Sequence, residues 1–119
     1  MESNRVTEHT KTTAHAAAAT QVARMRAAID KAVAFAPGFL RGEVKADDMA
    51  HTMVGAVRTY ADQEKATGSD GVPHGAEAQE LQQVLVELMT CGSGYLAGRC
   101  DAACVARTMT EMVHEYGTH

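Results

Sequence analysis

Apolar residues recur at three- and four-residue steps along four stretches of this chain, and glycine- or proline-rich breaks separate the stretches. That period belongs to an α-helix with one buried stripe, not to the two-residue alternation of a half-buried strand. Pro37-Gly38 closes the first stretch. Residues 68–75, which read Gly-Ser-Asp-Gly-Val-Pro-His-Gly, give the strongest loop signal. Gly92-Ser93-Gly94 with Gly98 makes a softer break, and Gly117 ends the last stretch.

The first predicted helix runs from near Thr12 to Ala36, with Ala18, Val22, Met25, Ile29, Val33 and Ala36 on its stripe. Residues 1–11 form a polar arm that frays or extends it, and residues 12–119 form one helical domain. The second runs from about Ala46 to Ala66. Asp47 and Asp48 near its start suit the helix dipole, and Met49, Met53, Val57, Tyr60 and Ala61 form its stripe. The third covers about Ala76 to Cys91 with Leu81, Val84, Leu85 and Leu88, continuing weakly through Tyr95 and Leu96. The fourth starts after Asp101, an N-cap candidate, and carries Val105, Met109, Met112, Val113 and Tyr116.

Composition agrees with helices. The chain has 119 residues, room for one core only. It has 22 alanines and seven methionines, but only five aromatic residues and no Trp. A sheet would want more aromatic and β-branched side chains. The expected fold is therefore all-α, a small three- to four-helix bundle. Its thin core of Ala and Met predicts completion or extension by homodimerisation.

Charge narrows the partners. The net charge is −4. Residues 1–40 carry five basic and three acidic groups, whereas residues 41–119 carry six basic and twelve acidic ones. Phosphate backbones repel such an acidic surface, so nucleic acid is disfavoured. A basic protein surface would suit it. There is no apolar run long enough for a membrane span and no signal-peptide core, since Ala16–Ala19 is too short and too weakly apolar. Three cysteines, an odd count without a disulfide framework, point to a reducing compartment; the expectation is a cytoplasmic protein.

Five constellations bear on chemistry. Glu111-x-x-His114 matches one half of a di-metal carboxylate site, Asp48-x-x-His51 is a weaker second half, and Glu80 or Glu87 would serve from the third helix. On a helical wheel, however, His51 and His114 fall roughly 130° and 160° from the centres of their stripes, which aims them at solvent. The first helix offers only Glu8 and Asp30, neither on its stripe. Cys91, Cys100 and Cys104 offer soft ligands for Zn or Cu(I), although their spacing matches no zinc finger or ribbon. The six histidines are scattered; His15 extends a stripe and His74 sits in the glycine loop. Nucleophile-elbow and phosphate-loop motifs are both missing, so no enzyme activity and no cofactor are expected. Residues 76–91 and 101–116 trace a helix-turn-helix outline. Arg107 there faces Asp101, Glu111 and Glu115, and phosphate anchors would have to come from Arg5, Lys11, Arg24 and Arg26.

The leading reading of the sequence is a non-enzymatic regulator, inhibitor or adaptor that binds another protein. Its acidic contact residues would be Asp62, Glu64, Glu77, Glu80 and Glu87. The alternative is a thiol-based metal or redox sensor using Cys91, Cys100 and Cys104. A dimeric helical DNA-binding regulator comes third.

Overall fold

The computed structural model describes residues 2–68 and 72–117, with side chains from residue 19 onward. Four helices follow one another: α1 (Glu2–Leu40), α2 (Ala46–Ala66), α3 (Ala76–Leu96) and α4 (Ala102–Tyr116). Among the described residues there is no strand. The helix α1 packs against all three others, α2 and α4 each pack against α1 and α3, and α2 and α4 barely meet. The result is an all-α bundle.

The predicted stripes form its core. Met25, Ile29, Met49, Met53, Leu88, Val105 and Met109 are fully or almost fully buried. Met112, Leu81, Val84 and Leu85 join them, and Tyr60, Tyr95 and Tyr116 pack at the edge. Methionine is an adaptable filler, and five of the seven methionines fill this core rather than a binding surface. Ala61 departs from its stripe and is exposed, while Ala18 lies outside the described side chains. Small residues complete the contacts: Ala32, Ala36, Ala50 and Ala78 are fully buried and let helix backbones approach.

Residues 2–11 extend α1, one of the two outcomes expected of them. Two breaks differ from expectation. The first is Pro37-Gly38, which α1 runs past to Leu40. Proline removes its own N–H and crowds the carbonyl four residues back, but it leaves the turn that follows able to form. Its carbonyl still accepts from Arg41 N at 3.0 Å. The actual stop is Gly42, at φ 82°, where Gly42 N donates to Phe39 O and Glu43 N donates to Gly38 O. That pair of bonds is a Schellman end, which needs a left-handed residue.

The second difference is Gly92-Ser93-Gly94, which lies inside α3 rather than breaking it. Gly92 is buried where α3 crosses α2. A Cβ at this position would stand 2.9 Å from Val54 Cγ2 and 3.0 Å from the Ala50 carbonyl oxygen. Glycine is there for a close approach, not for a turn. The bounds of α2 and the start of α4 agree with the sequence reading, and Asp101 Oδ1 accepts from Cys104 N at 3.0 Å as an N-cap.

Candidate functional site

The C-terminal half of α3 and the first turn of α4 bring the three cysteines together. The helix α3 ends at Leu96, and Gly98 follows at φ 79°. Gly98 N donates to Tyr95 O at 3.0 Å, and Arg99 N donates to Gly94 O at 2.7 Å. This second Schellman end turns the chain back, so that Cys100 lies beside the helix it has just left. Cys100 Sγ reaches the Cys91 carbonyl oxygen at 3.6 Å. Asp101 then caps α4 and places Cys104 in its first turn. The Sγ atoms of Cys91, Cys100 and Cys104 all lie within 4.8 Å of one another. Cys91 is 8% exposed, and the other two are half-buried.

All three are free thiols. Burial pushes the Cys91 thiol above its ordinary value, with Cys104 adding to the rise and Thr108 opposing it. Desolvation pushes Cys100 up to about 11, and its sulfur neighbours Cys104 and Cys91 reinforce the shift. Cys91 and Cys100 thus resist ionising in this setting. An incoming cation reverses that balance, because it is thiolate that binds metal and the cation carries the compensating charge. The sulfurs line an open cavity of about 770 Å³ between α3 and α4, whose rim includes Glu87, Arg99, Thr108 and Glu111.

Cys91 and Cys100 are expected to react slowly. At neutral pH a thiol near 11 holds roughly 300-fold less thiolate than one near 8.5, while its greater basicity returns about tenfold in intrinsic reactivity. Iodoacetamide should therefore alkylate Cys100 roughly 30-fold more slowly than a free cysteine, with the rate climbing through alkaline pH. Peptide mapping by mass spectrometry reads this site by site. The same shift has a stability consequence. The folded value of Cys100 lies above the ordinary 9.0, so its contribution is fully present below pH 9 and is lost as pH rises towards 11. Urea midpoints should fall over that interval and fall less in Cys100→Ser.

The five candidate acids do not form one face. Glu64 is a correction: it is 3% exposed and belongs to a buried network. Arg24 Nε and Nη2 donate to Glu64 Oε1 at 2.8 and 2.6 Å, and Gln21 Nε2 reaches Glu64 Oε2 at 3.4 Å. Gln21 is 1% exposed and clamps the loop before α3, donating to Val72 O at 2.9 Å and accepting from His74 N at 2.8 Å. Glu77 is exposed but forms an ion pair with Arg26 across to α1. Asp62, Glu80 and Glu87 are exposed. Glu80 and Glu87 meet Glu111 and Glu115 of α4 around a groove of about 340 Å³, which Asp62 on α2 does not line.

The remaining constellations are not assembled. Asp48, His51, Glu111 and His114 are exposed, and among the described residues the three cysteines are the only cluster with metal-ligating spacing. His74 is exposed; Glu8, His9, His15 and His119 lie outside the described side chains. Of the four cations proposed as phosphate anchors, Arg24 and Arg26 are engaged by Glu64 and Glu77, and Arg5 and Lys11 lie outside the described side chains. No helix among the described residues is long and apolar enough to cross a membrane.

One feature has no counterpart in the sequence reading. A cavity of about 470 Å³ opens between α2 and α3 against Val57, Tyr60, Leu85, Val86 and Met89. Two lining residues, Tyr60 and Gln82, each hold a buried oxygen, Oη and Oε1, without a hydrogen-bond partner among the described residues. Burial and the nearby Glu64 raise the Tyr60 hydroxyl above its ordinary value.

Comparison with known protein families, with curated proteins and with solved structures finds no match.

Proposed function

We propose that this protein binds a thiophilic ion through Cys91, Cys100 and Cys104 and acts as a metal-responsive regulator. The observation that supports it is the convergence of three free sulfurs, from two helices and the turn between them, within 4.8 Å. Cysteine often packs singly as a small apolar residue. Three that face one another over an open cavity are instead a ligand set. Zn–S bonds are about 2.3 Å long and tetrahedral, which sets sulfurs about 3.8 Å apart, so small side-chain adjustments at Cys100 and Cys104 suffice. A bound ion would tie α4 to α3. It would thereby hold the groove of Glu80, Glu87, Glu111 and Glu115, which spans the same two helices.

Thermal unfolding across a panel of thiophilic ions, with Mg²⁺ as control, tests this. Binding at 100-fold above the dissociation constant adds about 2.7 kcal/mol, a rise in Tm of roughly 10 °C for a chain of this size. Cys104→Ala should abolish the rise. Equal melting with and without every ion would remove the proposal.

The acidic groove favours a second reading within the first, a regulator that meets a basic protein partner. Reversing the charges of Glu80 and Glu87 should weaken that complex and flatten its salt dependence. A cytoplasmic, reducing setting and a homodimer belong to the same proposal. Phe35, Leu40 and Leu96 are large apolar side chains left exposed, and light scattering reads the subunit count.

A further inference from the structure

We infer that the ion this site selects is a trivalent, three-coordinate thiophile of the arsenite class, bound by Cys91 on α3, Cys100 in the turn and Cys104 on α4. This rests on the reading of the three cysteines as a ligand set and names the ligand that set fits.

The first argument is coordination number. The three sulfurs have no fourth cysteine, histidine or carboxylate within the same span among the described residues. Structural zinc is almost always four-coordinate. A trivalent arsenic centre takes three sulfurs in a pyramid, and its lone pair occupies the fourth position. Three donors complete it.

The second argument is charge. Three thiolate ligands carry −3. A trivalent centre leaves a neutral complex, a divalent one leaves −1 and a monovalent one −2. The cavity holds Glu87 and Glu111 with Arg99 as its one cationic side chain, and Cys91 is buried. Leaving net negative charge on partly desolvated sulfurs beside two carboxylates is unfavourable, and the neutral adduct avoids it.

The third is position. Cys100 and Cys104 are half-buried on an open cavity, so a small neutral molecule reaches them without unfolding the bundle. The reaction balances without an oxidant or reductant. Arsenous acid, As(OH)₃, exchanges three As–O bonds for three As–S bonds. Each hydroxide leaves with one thiol proton as water, and arsenic stays trivalent.

The test uses the full-length reduced protein with arsenite, Zn²⁺ or Cu⁺ as the added probe, read by native mass spectrometry and by counting thiols reactive to a disulfide reagent. The expected result is one arsenic per chain with the loss of three hydrogens, all three thiols protected, and no displacement by an equal concentration of Zn²⁺ or Cu⁺. Outer-shell changes alone cost metal sites 10–100-fold, so Cys100→Ser or Cys104→Ser should cost on the order of a hundredfold or more in arsenite affinity. Protection of the thiols by Zn²⁺ or Cu⁺ with displacement of arsenic would overturn this inference and leave the thiophilic site standing. Full thiol reactivity with all three probes would overturn both.

Discussion

Glu64→Leu should lower the stability of the folded chain by about 2–3 kcal/mol, a fall in Tm of roughly 10 °C. Glu64 is the most deeply buried acid described, and it accepts two charge-assisted bonds from Arg24 and contacts Gln21. Removing it strands a guanidinium that is itself only 21% exposed. Uncompensated charge in such a place is costly, whereas the intact pair adds little beyond what apolar packing would supply. The double replacement Arg24→Leu with Glu64→Leu should therefore recover most of the loss. Urea denaturation of the two single variants and the double one closes the cycle. Strict additivity would mean that the ion pair carries no coupling, and that Glu64 is held by packing alone.

That network also shows where reading the chain alone stops. On a helical wheel Glu64 resembles Glu80 or Glu87, because its burial depends on Arg24 and Gln21, forty and more residues away on α1. Local signals did carry the extent of α2, the Asp101 cap and the apolar stripes, since each is a property of neighbouring residues. Pro37 does not mark the end because its carbonyl still accepts from Arg41 N and the following turn forms; the stop is Gly42. The cysteines were legible as soft ligands but not as a cluster. On a helical wheel Cys91 and Cys104 only flank their apolar stripes, and Cys100 lies between the two helices. Their meeting depends on Gly98, whose left-handed backbone turns Cys100 back towards Cys91.

The thiol site and the core therefore share one structural dependency, the path of α3 across α2. Cys91 immediately precedes Gly92, the residue at that crossing. Whatever moves the crossing moves Cys91 relative to Cys100 and Cys104. The three sulfurs thus come from α3, from the turn after Gly98 and from the first turn of α4.

Gly92 and Gly55 should respond to alanine with opposite signs. Alanine is the better helix former by about 1 kcal/mol, so propensity alone favours both substitutions. At Gly55 nothing lies within 4 Å of the new Cβ, and Gly55→Ala should stabilise by about 0.5–1 kcal/mol. At Gly92 the new Cβ meets Val54 Cγ2 at 2.9 Å, the Ala50 carbonyl oxygen at 3.0 Å and Met53 Cβ at 3.3 Å. The Val54 methyl can turn aside, but a helix carbonyl cannot, so α2 and α3 must separate. Overpacking of this kind costs about 1–3 kcal/mol, and Gly92→Val, with two more carbons, should reach or pass the upper end. Separation would also carry Cys91 away from its partners, so Gly92→Ala should weaken ion binding while leaving all three thiols in the sequence. Denaturant midpoints for the two alanine variants, with thiol protection measured on each, decide the point. Stabilisation by Gly92→Ala would show that the helices do not meet where the glycine places them.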